Sequence, residues 1–127
     1  MRRAAKVDRN HGEVVKALRA IGCSVQDLAA VGSGCPDILL GIPTTRTLAF
    51  MEIKDGDKLP CERKLTPHQV RWHREWAGYP VHIVESVNDA LAIVAAIKRG
   101  EYDARATPEH IMTDVAAEVA ETVRRRK

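Results

Sequence analysis

The sequence predicts a mixed α/β domain, a central β-sheet flanked by helices. Three observations carry that expectation. Apolar residues recur at helical spacing at Val14, Val15, Leu18 and Ile21, and again at Val87, Ala90, Leu91, Val94 and Ile97. Two short apolar runs, Asp37 to Ile42 and Thr47 to Ile53, flank Pro43-Thr44-Thr45-Arg46, which reads as a hairpin loop. A third run, Val81 to Val84, lies between two helical segments, an order that suits a mixed α/β core.

The elements follow in order. Asp8 to Ile21 is expected to be a helix, capped by Asp8 or Asn10 and stopped by Gly22. Ser24 to Ala30 reads equally as a short strand or a turn. Val31 to Pro36 is a turn whose glycines permit close backbone approach. After the hairpin, Asp55 to Leu65 is a polar loop. Thr66 then opens a helix as N-cap, with Pro67 at its first position, running to about Trp76 before Gly78-Tyr79-Pro80. Ser86 caps the next helix and Gly100 ends it. Thr107 to Arg126 is expected to be a last amphipathic helix, with Ile111, Val115, Val119 and Val123 on one side. It packs on its own domain or on a second copy.

Bulk properties narrow the class. A chain of 127 residues with 45% hydrophobic content suits one domain, residues 1–127, with one core. Aromatics are only 4%, so the core must be aliphatic. The net charge of +3 permits a nucleic-acid partner without requiring one. Cys23, Cys35 and Cys61 are widely spaced, which argues against a disulfide framework or structural zinc and for a reducing compartment. No apolar run is long enough to span a membrane and no signal-peptide pattern is present, so a soluble, cytoplasmic protein is expected.

The chemistry concentrates on Asp37, Glu52 and Lys54. A turn centred on Thr44-Thr45 places Asp37 opposite Glu52. Opposed residues of an antiparallel pair share a face, with side chains about 5 Å apart, and like charges there repel. A divalent cation removes the repulsion, and carboxylate oxygens are what Mg²⁺ prefers. Strand alternation puts Lys54 on the same face as Glu52. An acidic residue at a strand end is ordinarily solvated, and a Glu-x-Lys triplet is common. The pair of motifs in one register is what points to metal-dependent phosphodiester chemistry.

The ordered set of Glu13, Gly34-Cys35-Pro36-Asp37, Glu52-Ile53-Lys54 and Leu65-Thr66-Pro67-His68-Gln69 resembles the PD-(D/E)XK nucleases. More narrowly it resembles the VRR-NUC family, in its small stand-alone members of phages and bacteria, over residues 8–97. The resemblance implies a restriction-endonuclease-like core with a strand near Val25 to Leu28. It implies the Ile53 backbone carbonyl as a further metal ligand beside Asp37 and Glu52, and Glu13 near the metal. Gln69 would face the site. Lys54 would orient or help deprotonate the attacking water. The products would carry a 5′-phosphate and a 3′-hydroxyl. The cofactor would be Mg²⁺, with Mn²⁺ substituting. Stand-alone members look like resolvases of four-way (Holliday) junctions acting as homodimers, so branched DNA is the expected substrate.

Around this centre, Lys58, Arg63, Lys64, Arg71 and Arg74 are candidates for a phosphate-binding rim. His68 and His73 are five apart, the wrong spacing for a zinc pair, and His11, His82 and His110 carry no signature. Trp72 and Trp76 read as core rather than base-stacking residues. Two other classes fit less of the chain: a non-catalytic DNA-binding scaffold on a nuclease fold, and a sequence-specific restriction enzyme, for which no recognition domain is evident.

Overall fold

A computed structural model describes residues 9–101 together with 124–125. The helix expected over 107–126 lies outside the described residues, except that Arg124 and Arg125 are helical. The element order is α1 (His11–Ala20), β1 (Ser24–Asp27), β2 (Ile38–Ile42), β3 (Thr47–Ile53), α2 (Pro67–Glu75), β4 (Val81–Val84) and α3 (Val87–Lys98). The strands form one sheet in the order β1-β2-β3-β4. The first three pair antiparallel, and β4 joins β3 in parallel, with α2 as the crossover.

Helix α1 begins later than expected. Asn10 stands at its N-cap position, but its side chain makes no cap. Its Nδ2 instead donates to the carbonyls of Lys54 at 3.0 Å and Glu85 at 3.1 Å, tying the helix start to the ends of β3 and β4. Ile21 is 42% exposed, because the helix ends at Ala20 and Gly22 turns the chain away at φ +96.

The sheet has two unlike faces. On one, Ile38, Leu40, Ile42, Ala49, Met51, Ile53 and Val84 pack under Val14 and Leu18 of α1 and Ala90, Ile93, Val94 and Ile97 of α3. Alternation along β2 and β3 delivers every second residue there. Ile93 belongs to this core, while Leu91 of the expected stripe is only half-buried, because α3 rotates its 90–93–94–97 side inward. On the other face, α2 covers the sheet through Leu65, Val70 and Ile83.

Trp72 and Trp76 are not core residues. They stack on each other at 4.8 Å and meet the Phe50 ring edge-on at 5.2 and 5.5 Å, and Trp76 remains 37% exposed. The reason is that α2 lies over only part of its sheet face, leaving its C-terminal end in solvent. Among the described residues, no helix is long and apolar enough to cross a membrane.

The β2–β3 hairpin turns through residues 43–46, with the Arg46 N–H donating to Pro43 O at 3.3 Å and Arg46 at φ +52. A left-handed conformation costs a side-chain-bearing residue roughly 1–2 kcal/mol. Arg46→Gly should therefore raise stability by about 0.5–1 kcal/mol once the flexibility of glycine is counted. Urea unfolding measures this, and no gain would mean the turn holds no strain.

Two histidines, His82 buried and His73 half-buried, link stability to pH. Burial, with the Lys54 charge adding to it, lowers the His73 pKa to about 4, and burial lowers that of His82. The unfolded chain then takes up protons at a pH where the folded chain does not. Stability should be complete above about pH 6.5 and fall as pH drops towards about 4. For His73 alone the loss is about 3 kcal/mol. Unfolding midpoints across this window check the sign; a flat profile would show that neither ring is held neutral.

Candidate active site

Asp37 is delivered by the turn before β2. The Leu28 N–H donates to Asp37 O at 2.7 Å, and the Cys35 N–H to Gly32 O at 3.1 Å. Ile38 pairs with Met51, so Asp37, one residue further out, faces Glu52. The Asp37 carboxylate accepts the Ile53 N–H at 2.7 Å through Oδ2. In an extended strand the N–H and C=O of one residue point to the same neighbour. The Ile53 carbonyl is therefore directed to the side on which the Asp37 carboxylate lies.

Glu52 and Lys54 belong to the sheet face covered by α2, and both are buried, at 1% and 8% exposure. Removing such charges from water costs several kcal/mol each unless partners replace the solvent. Gln69 is the partner both share. Its Nε2 donates to Glu52 Oε1, and its Oε1 accepts from Lys54 Nζ at 3.0 Å. Lys54 Nζ lies 3.8 Å from Glu52 Oε1. The same Gln69 closes the α2 capping box: its Oε1 accepts the Thr66 N–H at 2.9 Å, and its N–H donates to Thr66 Oγ1 at 3.3 Å. The signal that begins α2 thus also aims an amide at the two buried charges.

The structure brings Asp37, Glu52, Lys54 and Gln69 together, with the Ile53 backbone beside them. Glu13 is exposed on α1. Among the described residues, no three His, Cys, Asp or Glu side chains converge as a metal-holding group, so Glu13 does not complete a triad with Asp37 and Glu52. The oxygen set on hand is two carboxylates and a carbonyl. These are hard donors, and so small a set suits Mg²⁺, which retains several waters.

Of the expected rim, Lys64 and Arg71 are exposed and Lys58 and Arg74 are half-buried. Arg63 does not belong to an open rim: its Nη1 pairs with Glu85 Oε2 at 2.8 Å, and both side chains are largely buried. It fastens the loop after β3 to the end of β4. His73, one turn beyond Gln69, was not legible as a neighbour of this site. Its four-residue spacing from Gln69 was the available signal. The Cys35 thiol is held protonated by burial and by the nearby Glu52 and Asp37 charges, which raise its pKa, so it is a poor nucleophile.

Gly34 sets how near the Asp37 turn approaches α2. It lies at φ +82, and a Cβ there would stand 2.1 Å from the His68 carbonyl oxygen. Gly34→Ala should destabilise the protein by at least about 2 kcal/mol, combining left-handed strain with this clash. Thermal unfolding tests it, and a change within about 0.5 kcal/mol would show that the turn does not depend on the contact.

Comparison with solved structures finds a chain described as a VRR_NUC domain, 29% identical, with a TM-score of 0.51 over 68% of this chain and 95% of that one. No family model matches, and no curated protein matches. The matched fold is of the nuclease type found in DNA processing, and the four-stranded mixed sheet with α1, α2 and α3 among the described residues agrees with it. This chain is thus similar in fold and in sequence to a VRR_NUC domain.

Proposed function

We propose that this protein is a metal-dependent endodeoxyribonuclease that hydrolyses phosphodiester bonds in branched DNA, four-way junctions or flaps. The observation that carries the reading is the buried Glu52–Gln69–Lys54 network lying across the β2–β3 register from Asp37. A buried carboxylate and ammonium on one sheet face cost stability, and phosphate chemistry gives them a use.

Asp37, Glu52 and the Ile53 carbonyl would hold Mg²⁺, with Mn²⁺ as a substitute. The bound ion would supply a lowered pKa for water and a positive charge against the phosphate. Lys54, fixed by Gln69 at 3.0 Å, presents its ammonium where negative charge grows as the phosphorus becomes five-coordinate. In the same position it orients the attacking water. Gln69 keeps Glu52 and Lys54 from closing into a contact pair tighter than the observed 3.8 Å, leaving the ammonium able to reach substrate. In-line attack leaves a 5′-phosphate and a 3′-hydroxyl. The exposed Lys64 and Arg71, with Lys58, would hold neighbouring phosphates, giving affinity that falls with salt. One such site per chain cuts one strand, so cutting both strands of a junction calls for a homodimer.

The test is cleavage of labelled linear, flapped and four-way-junction DNA in Mg²⁺, Mn²⁺ or EDTA. Wild type should cut with either metal and not in EDTA. Asp37→Ala, Glu52→Ala and Lys54→Ala should each lower the rate by about a hundredfold or more while retaining DNA binding. Tight binding without cutting of any substrate would instead indicate a DNA-binding scaffold.

A further inference from the structure

The chain contains two Trp, two Tyr and one Phe. Phe50, Trp72, Trp76 and Tyr79 stand in a single cluster. The Trp72 and Trp76 rings are nearly parallel, 6° apart at 4.8 Å. Tyr79 meets Trp76 edge-on at 5.6 Å. An aromatic group serving only to cover Phe50 would be closed off from water. Here Trp76 is 37% and Tyr79 60% exposed, and Leu48 on the same sheet face is 64% exposed.

The position of the cluster matters more than its exposure. Phe50 is two residues before Glu52 on β3, so the two side chains share a sheet face. Helix α2 crosses that face with Gln69 at the buried charges and Trp76 at its far end. Seven residues separate them, about 10 Å along the helix. A DNA strand whose phosphate reached Glu52 and Lys54 would pass its neighbouring nucleotides over the aromatic end.

We propose that Phe50, Trp72, Trp76 and Tyr79 form a base-stacking platform for unpaired nucleotides next to the bond being cut. This rests on the nuclease reading above and narrows its substrate class to DNA with unpaired bases flanking the cut. Bases inside a duplex present no free face, whereas an unpaired base can lie flat on indole or phenol. The Trp72–Trp76 stack fixes the indole plane in advance, so little conformational freedom is lost when a base settles on it.

The test needs no catalysis. Tryptophan emission of the full chain in EDTA is titrated with a short oligothymidylate and with an abasic strand of equal length. Only the strand with bases is expected to quench. Tyr79→Ala and Trp76→Leu should each weaken binding of a labelled oligothymidylate by about tenfold, leaving the weaker binding of the abasic strand unchanged. Equal responses to the two strands would overturn the platform. So would an emission that ignores both strands and shifts with protein concentration alone, which would mean that a second copy covers the cluster. A chain that binds bases in this way but cuts no DNA keeps the platform and loses the nuclease reading. One that cuts DNA without base-dependent quenching does the reverse.

Discussion

Glu52 and Lys54 are buried side by side at the end of a strand, and the rest of the structure is arranged around satisfying them. Both charges are almost wholly shielded from bulk water, so each draws its partners from within the fold. Gln69 supplies them, and it can do so only because α2 begins where it does. The backbone next to these charges is also accounted for. The Lys54 N–H is held by Val84 O, and its carbonyl is held by Asn10. The first helix, the last strand and the crossover helix therefore all terminate on one pair of residues.

This arrangement divides labour between the two faces of the sheet. The face under α1 and α3 is aliphatic and supplies the hydrophobic stabilisation, with each fully buried Leu, Ile or Val worth about 1.5–3 kcal/mol. The face under α2 carries the carboxylate, the ammonium, the amide and the aromatic cluster. Because β3 alternates between these faces, a single strand supplies both core and site. Its residues cannot shift by one position without exchanging the two. The antiparallel pairing that places Asp37 opposite Glu52 is thus locked by Ile38, Leu40, Ala49 and Met51, which take no part in chemistry.

How much of this was legible in the sequence depended on whether the signal was local. The Asp37–Glu52 register could be read because a four-residue loop with its centre at Thr44-Thr45 leaves one pairing that keeps both apolar sets inward. The Thr66 N-cap with Pro67 behind it could be read because it spans a single turn, whereas the capping box that Gln69 closes there came from the structure. That Gln69 faces the site was expected from family resemblance rather than from spacing, and its bond to Lys54 came from the structure. The Arg63–Glu85 pair was not legible, since nothing local marks Glu85, twenty-two residues away, as a partner of Arg63. Asn10 was taken for a cap because Asn at a helix start usually is one, and here two distant carbonyls compete for its amide.

By itself, the sequence determined the order of the elements and the type of all but β1, the β2–β3 register and the acidic pair with its lysine. These follow from periodicity, turn length and strand alternation, which act between near neighbours. Only the tertiary structure decided which face α2 would cover and how far. That choice left Glu13 apart from the acidic pair, drew Arg63 into an ion pair and brought His73 towards Lys54. It also left Trp76 and Tyr79 open to solvent. The physical reason is that packing an apolar patch against a sheet is non-directional. A helical stripe specifies that it will be buried, while the shape of the opposing surface specifies where.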